Sequence, residues 1–224
     1  MAELRFYFGT MGSGKSTQAL QIHHNLRSRG LRTLLTTQLD RQAGRVSSRL
    51  GVSAEAEVVD DSIDLFRLAQ RETERQGGLD AMICDEGQFY SPIQIEQLAR
   101  VVDELEVEVY AFGLLTSFQG ELFPGTARLL ELADIRSEVQ VEARCWCGSR
   151  ATHNARLVDG LQVYDGALKV VGDTNSDAVV SYELMCRYHW HAGKRLSQGS
   201  QLELLDADQA EVEGRSRAAH PSRG

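Results

Sequence analysis

Hydrophobic positions over roughly the first 140 residues alternate between two textures. Short, nearly unbroken apolar runs at residues 4–8, 33–37, 81–84 and 107–112 suit strands buried on both faces. Between them, apolar residues recur at helical spacing: Ala19, Leu20, Ile22 and Leu26 within 16–29; Leu65, Phe66 and Ala69 within 62–76; Ile95, Leu98, Val102 and Leu105 within 93–105. Such β-α-β alternation predicts an α/β fold in which helices cover a parallel sheet. One more strand is expected at 135–141. After it the pattern breaks into short pieces that carry two cysteine-bearing knuckles, Cys145-Trp146-Cys147-Gly148 and Cys186-Arg187-Tyr188-His189. A domain boundary is therefore expected near Ala143, dividing a core of residues 1–142 from a smaller unit of residues 143–205. Residues 206–224 are small, charged or polar and offer too little apolar surface to offset the entropy of ordering, so the reading there is a disordered tail.

Charge narrows the function. Lys and Arg total 24 against 32 Asp and Glu, a net charge of −8 that repels polyanions and disfavours a general nucleic-acid binder. No signal peptide precedes the first strand, and no segment approaches the roughly 20 apolar residues of a membrane helix. With no export signal, Cys84, Cys145, Cys147 and Cys186 read as reduced thiols or metal ligands, and the expected setting is cytoplasmic. Cys84, inside an apolar run, reads as a small core residue.

The chemistry begins between the first strand and the first helix. Gly9-Thr10-Met11-Gly12-Ser13-Gly14-Lys15-Ser16, followed by Thr17, fits G-x4-G-K-[ST], the phosphate loop of an ATP-dependent P-loop enzyme. Glycines let the backbone turn so tightly that successive N–H groups face phosphate oxygens, and the helix N-terminus adds partial positive charge. Lys15 is expected on the β- and γ-phosphates and Ser16 on Mg²⁺. A second acidic group for the metal is needed at the end of a neighbouring strand, and Asp85 supplies it after Ala81-Met82-Ile83-Cys84. Glu86, Gly87 and Gln88 follow. The Glu86 carboxylate leaves the strand end in another direction, which suits a general base for an attacking hydroxyl. Arg41, Arg45 and Arg49 are candidate phosphate contacts or plain surface charge, and His23 and His24 on the first helix read as solvated.

Phe6-Tyr7-Phe8 with the phosphate loop, and Asp85-Glu86-Gly87-Gln88-Phe89 downstream, resemble the thymidine kinases that join a P-loop core to a zinc-bearing lasso domain. Gly113-Leu114-Leu115-Thr116-Ser117-Phe118-Gln119, Phe123-Pro124-Gly125 and Thr152-His153-Asn154-Ala155-Arg156-Leu157 carry the likeness on, so that it covers roughly residues 4–192. The resemblance implies transfer of the ATP γ-phosphoryl group to the 5′-hydroxyl of thymidine, with Glu86 as proton acceptor. It places Met11, Phe89, Leu114, Phe118, Phe123, Arg156 and Tyr182 around the nucleoside, and has a lasso through Val170, Val171 and Gly172 reading the base edge. It also implies a homodimer or homotetramer and feedback by thymidine triphosphate. Leu115 stands where the family often has a charged residue, and the lasso is longer than usual. Phe89 and Phe123 also fit ordinary core positions.

Cys145, Cys147, Cys186 and His189 form a Cys3His set suited to a structural zinc ion. The C-x-C bite is tighter than the family's usual spacing. It leaves open a site without Cys145, completed by another group such as His191. Two competing activities remain: phosphorylation of another deoxynucleoside, and a zinc-ribbon ATPase driven by nucleic acid.

Overall fold

The computed structural model describes residues 1–38, 44–48, 50–139, 142–168 and 179–193. Val170, Val171, Gly172, Arg41, Arg49 and the 206–224 tail lie outside those residues.

The elements in chain order are β1 (Leu4–Phe8), α1 (Lys15–Ser28), β2 (Thr33–Thr37), β3 (Arg45–Ser47), β4 (Ser53–Glu55), β5 (Glu57–Val58), α2 (Leu65–Gln76), β6 (Ala81–Asp85), a 3-10 turn (Gly87–Phe89) and α3 (Pro92–Leu105). Then follow β7 (Glu108–Gly113), α4 (Pro124–Leu132), β8 (Ile135–Glu138), β9 (His153–Val158), β10 (Leu161–Val163), β11 (Val180–Met185) and α5 (Arg187–Ala192). Six strands form one sheet in the order β5-β2-β6-β7-β1-β8, and every adjacent pair is parallel. The expected covered parallel sheet is thus present, and each long apolar run is explained by two-sided burial. In β6, Met82 and Cys84 face the core that α2, α3 and α4 close, while Ala81 and Ile83 face the core beneath α1. Phe6, Ile83 and Leu98 are fully buried, each such side chain contributing about 1.5–3 kcal/mol relative to exposure.

Local chemistry sets the helix ends. Asp64 caps α2 by accepting from the Arg67 N–H at 3.0 Å, so the helix starts at Leu65 and not at the expected residue 62. Ser91 and Gln94 form a reciprocal capping box on α3, with Pro92 in the first turn. The strand expected at 135–141 ends at Glu138, and residues 140–141 lie outside those described. Helix α4 is an element the hydrophobic pattern did not separate from the loop before it.

Beyond residue 142 the chain builds a second, antiparallel sheet in the order β10-β9-β11. Its own core is small: Cys145, Ala155 and Met185. The sequence pattern broke down here because strands as short as β10 show too few alternations to be read.

His23 corrects an expectation. It is buried on α1, and its Nδ1 shares a 3.0 Å hydrogen bond with the Thr33 hydroxyl. Burial, reinforced by Arg27 and His24, holds its pKa below the ordinary 6.5. A depressed folded-state value means that protons favour the unfolded chain, so this contribution is intact above 6.5 and is lost as pH falls below it. Chemical denaturation from pH 7.5 down to about 5 should therefore show a decline in stability that is shallower in His23→Gln.

Candidate active site and metal cluster

The phosphate loop hangs between β1 and α1 because its glycines adopt backbone conformations closed to most side chains. Gly12 and Gly14 have φ values of 72° and 85°, in the left-handed region. The Lys15 ammonium folds into the loop, donating to the carbonyls of Thr10 at 2.8 Å and Gly9 at 3.3 Å. Ser13 and Lys15 are buried.

Asp85 closes β6 in register with Thr37 of β2, next to the loop. Ser16 hydrogen-bonds to its carboxyl, yet burial first and the neighbouring Glu86 second push its pKa up to about 7. Its Oδ1 is buried without a hydrogen-bond partner. A buried, unpartnered carboxylate oxygen beside a hydroxyl is a donor set that suits a hard divalent cation, so Ser16 and Asp85 fit Mg²⁺.

Glu86 sits at φ 57°, an uncommon conformation for a residue with a side chain, and such strain clusters at functional sites. Its carboxylate accepts a 2.5 Å hydrogen bond from Gln88 Nε2. The Gln88 Oε1 in turn accepts from the Leu114 N–H at 3.0 Å, and Thr126 holds the Leu114 carbonyl at 2.7 Å. Gln88 is 1% exposed, so this amide acts as a rigid spacer between Glu86 and the loop that leaves β7.

Gly12, Gly14, Lys15, Ser16, Asp85, Glu86, Gln88 and Leu114 meet one cavity of about 1180 Å³. Met11, Lys15, Ser16, Asp85 and Glu86 line its phosphate side, and Phe89, Leu114, Phe118, Phe123 and Tyr182 line the rest. Phe89 and Phe123 meet edge to face, their ring centres 5.5 Å apart. Arg156 is not among the lining residues. Its guanidinium lies 5.0 Å over the Phe118 ring, on β9 opposite Tyr182 of β11. Arg45 is exposed and donates to Ser53 Oγ at 2.8 Å, which makes it surface charge in this structure.

Sequence reasoning missed three contributors. Thr37 and Gln38 enter the cavity from the C-terminal end of β2, where open parallel sheets hold ligands. Val46 and Ser47 enter from the β3–β4 hairpin, for which the chain carries no pattern long enough to read. Asn154, 4% exposed, reaches from β9 to accept the Met11 N–H at 2.9 Å. Strand alternation was its available signal, because Asn154 shares a face with Arg156.

The knuckles converge as a unit. The metal-ligating atoms of Cys145, Cys147, Cys186 and His189 all lie within 4.8 Å of one another. His189 presents Nδ1, 3.4 Å from both Cys145 Sγ and Cys186 Sγ, and Cys147 Sγ is 3.9 Å from Cys186 Sγ. Ligands on a tetrahedron with Zn–S bonds of about 2.3 Å stand about 3.8 Å apart, so the four donors fit zinc. The short C-x-C bite is absorbed by a tight turn: Gly148 N–H bonds to the Cys145 carbonyl at 2.8 Å, and Cys145 N–H to the Ser149 carbonyl at 2.9 Å. Cys145 therefore belongs to the cluster, and His191 does not. Hydrogen bonds from Ser149 bring the Cys147 thiol down to about 6, toward the thiolate that binds metal. Cys84 behaves oppositely, its thiol pushed up to about 12 by complete burial, as befits a core residue.

Comparison with known proteins gives a consistent result. The family model described as "Thymidine kinase" matches residues 2–190. A thymidine kinase of Streptomyces coelicolor is 50% identical over 210 residues, spanning 93% of this chain and 97% of its own. One from Streptomyces avermitilis is 51% identical over 210 residues with the same coverage. One from Cutibacterium acnes is 48% identical over 194 residues, spanning 86% of this chain and 90% of its own.

Proposed function

The chain belongs to the thymidine kinase family, and we propose that its ATP-dependent phosphorylation of thymidine is carried by Glu86 as proton acceptor and Lys15 as phosphate anchor. The observation that carries this assignment is the single cavity that joins Lys15, Asp85 and Glu86 to the aromatic wall of Phe89, Phe118, Phe123 and Tyr182.

The thymidine 5′-hydroxyl oxygen bonds to the γ-phosphorus as the bond from that phosphorus to the β,γ-bridging oxygen breaks. Glu86 takes the hydroxyl proton, and ADP leaves with the bridging oxygen. Within the loop of residues 9–16, the N–H groups of Gly12, Gly14, Lys15 and Ser16, with Thr17 at the helix start, cradle the triphosphate, and the Lys15 ammonium offsets its charge. Gln88 keeps the Glu86 carboxylate aimed by its 2.5 Å bond. Ser16 and Asp85 would hold Mg²⁺, which would supply neutralisation of the phosphate charge. Ring faces of Phe118 and Tyr182 suit stacking on a pyrimidine, with Met11, Leu114 and Arg156 completing the surround. Val170, Val171 and Gly172 are assigned to the base edge by family likeness.

Three structural assignments accompany this. The division into a core of residues 1–142 and a lasso unit of 143–205 is supported by the change from the parallel to the antiparallel sheet and by the separate small core. A structural zinc ion at Cys145, Cys147, Cys186 and His189 is supported by the convergence of four soft donors. A homodimer or homotetramer is supported by the open edge strand β8, where Ile135 is 37% exposed. No described helix is long and apolar enough to cross a membrane, and a cytoplasmic location is the reading that joins this to the cysteine chemistry.

The test is incubation with MgATP and a panel of nucleosides. Thymidine should yield its 5′-monophosphate and one ADP each turnover, ahead of deoxyuridine and deoxycytidine. Faster turnover of another deoxynucleoside would reassign the acceptor. ADP release stimulated by DNA or RNA without any nucleoside would replace the kinase with an ATPase.

A further inference from the structure

Helix α5 carries one metal-cluster ligand, His189, and ends against the wall of the acceptor pocket. The contact is Trp190. Its indole N–H donates to the Phe118 carbonyl at 3.2 Å, a bond between residues far apart in the chain. The ring lies directly on Gly120, where a Cβ would stand only 2.4 Å from the indole Cη2. Gly120 also has a φ of +81°, so both the backbone turn and the aromatic lid call for glycine there.

Trp190 is itself clamped. Its carbonyl accepts from the Tyr164 hydroxyl at 2.5 Å and from Gln162 Nε2 at 3.0 Å. Its ring packs 4.8 Å from His153 and 5.3 Å, edge-on, from Tyr164. The hydrogen bonds come from β10 and the segment after it, and the stacking partner His153 opens β9. The indole is thus a fixed point supplied by the C-terminal unit, and the segment it holds belongs to the core.

That segment leads from Leu114 to Phe118, whose ring is 4% exposed and lines the cavity. A carbonyl held by a fixed donor limits the rotation of its own residue, and the Phe118 side chain follows its backbone. We propose that Trp190 is a positioning residue for the nucleoside pocket: it fixes the Phe118 backbone and thereby the aromatic wall on that side. The inference rests on the assignment of Phe118 to the nucleoside pocket. Trp190 touches neither the phosphate loop nor Glu86 in any contact described above. Its influence should therefore fall on the acceptor and leave ATP alone.

Trp190→Phe keeps most of the packing and removes the N–H. Loss of one hydrogen bond of ordinary strength corresponds to about a three- to tenfold change in an equilibrium constant, so KM for thymidine should rise about that much. KM for MgATP and the bound zinc content should remain unchanged. Gly120→Ala, which pushes a methyl group into the indole, should give the same split between substrates. A parallel rise in both KM values, zinc loss at unchanged thymidine KM, or no change in either substrate would overturn the proposal. Phe118→Ala separates the two levels of inference. Weakened thymidine binding in Phe118→Ala together with an unaffected Trp190→Phe removes the positioning role alone. Unchanged thymidine binding in Phe118→Ala removes Phe118 from the pocket, and the role of Trp190 with it.

Discussion

Glu86→Gln is expected to lower the turnover of thymidine by about 10²–10⁴-fold while MgATP binds almost as before. The substitution preserves size and hydrogen-bonding capacity, so the left-handed turn at φ 57° and the spacer formed by Gln88 and Leu114 have no steric reason to change. What disappears is a basic oxygen able to accept the 5′-hydroxyl proton as the new O–P bond forms. In the proposed site the phosphate contacts lie elsewhere, in the loop of residues 9–16 with its Lys15, and Ser16 and Asp85 would hold Mg²⁺, so ground-state affinity for the nucleotide would be carried by groups this variant leaves intact. Single-turnover measurement with saturating thymidine, beside equilibrium binding of a non-hydrolysable ATP analogue, separates the two quantities. A variant with near-normal turnover would remove Glu86 from the chemistry. A large loss of analogue binding would instead make it part of the nucleotide site.

Chelation of the zinc proposed at Cys145, Cys147, Cys186 and His189 is expected to melt the antiparallel unit and abolish phosphorylation, with the parallel-sheet core left able to bind ATP. The magnitudes point this way. Among the described residues the unit's apolar cluster is Cys145, Ala155 and Met185, with Ala151 and Leu157 also buried, where even a fully buried large side chain contributes about 1.5–3 kcal/mol. Structural zinc in small domains supplies about 10–16 kcal/mol. A bound zinc would therefore outweigh the apolar cluster of the unit. The core rests instead on two extensive apolar clusters on opposite faces of a six-stranded sheet. Hydrogen exchange should lose protection across β9–β11 on chelation and retain it in β1, β6 and β7. Cys186→Ser should reproduce the pattern without chelator. Purified, chelator-free protein holding less than about half an equivalent of zinc, or an exchange pattern indifferent to chelation, would count against a structural site.

How far the sequence reached depended on how local each feature is. The phosphate loop was legible because one short segment contains its whole geometry: Gly12 and Gly14 for the turns, Lys15 and Ser16 for the ligand. β1 and β2 were legible to the residue, since burial on both faces leaves a continuous apolar run. Asp85 and Glu86 followed from their place at a strand end. Asn154 was missed because its partner, the Met11 N–H, belongs to a segment 143 residues away. The burial of His23 was missed because helical spacing alone does not tell how far α1 leans toward β2, where Thr33 waits. The participation of Cys145 was undecided by spacing and was resolved by a turn that folds Cys145 and Cys147 toward a common centre.

The sequence by itself therefore determined the α/β class, the phosphate loop, its acidic partners and the candidate donors of the metal cluster, with Cys145 left open. Each is either a periodic pattern or a short motif whose conformation its own residues dictate. Only the tertiary structure decided that Gln88 is held by the Leu114 N–H, that Asn154 ties β9 to the phosphate loop, and that Trp190 rests on Gly120. Those contacts arise when segments distant in the chain are packed together. The free energy that selects them comes from burying side chains jointly and satisfying the polar groups that are buried with them. No window of sequence contains both partners.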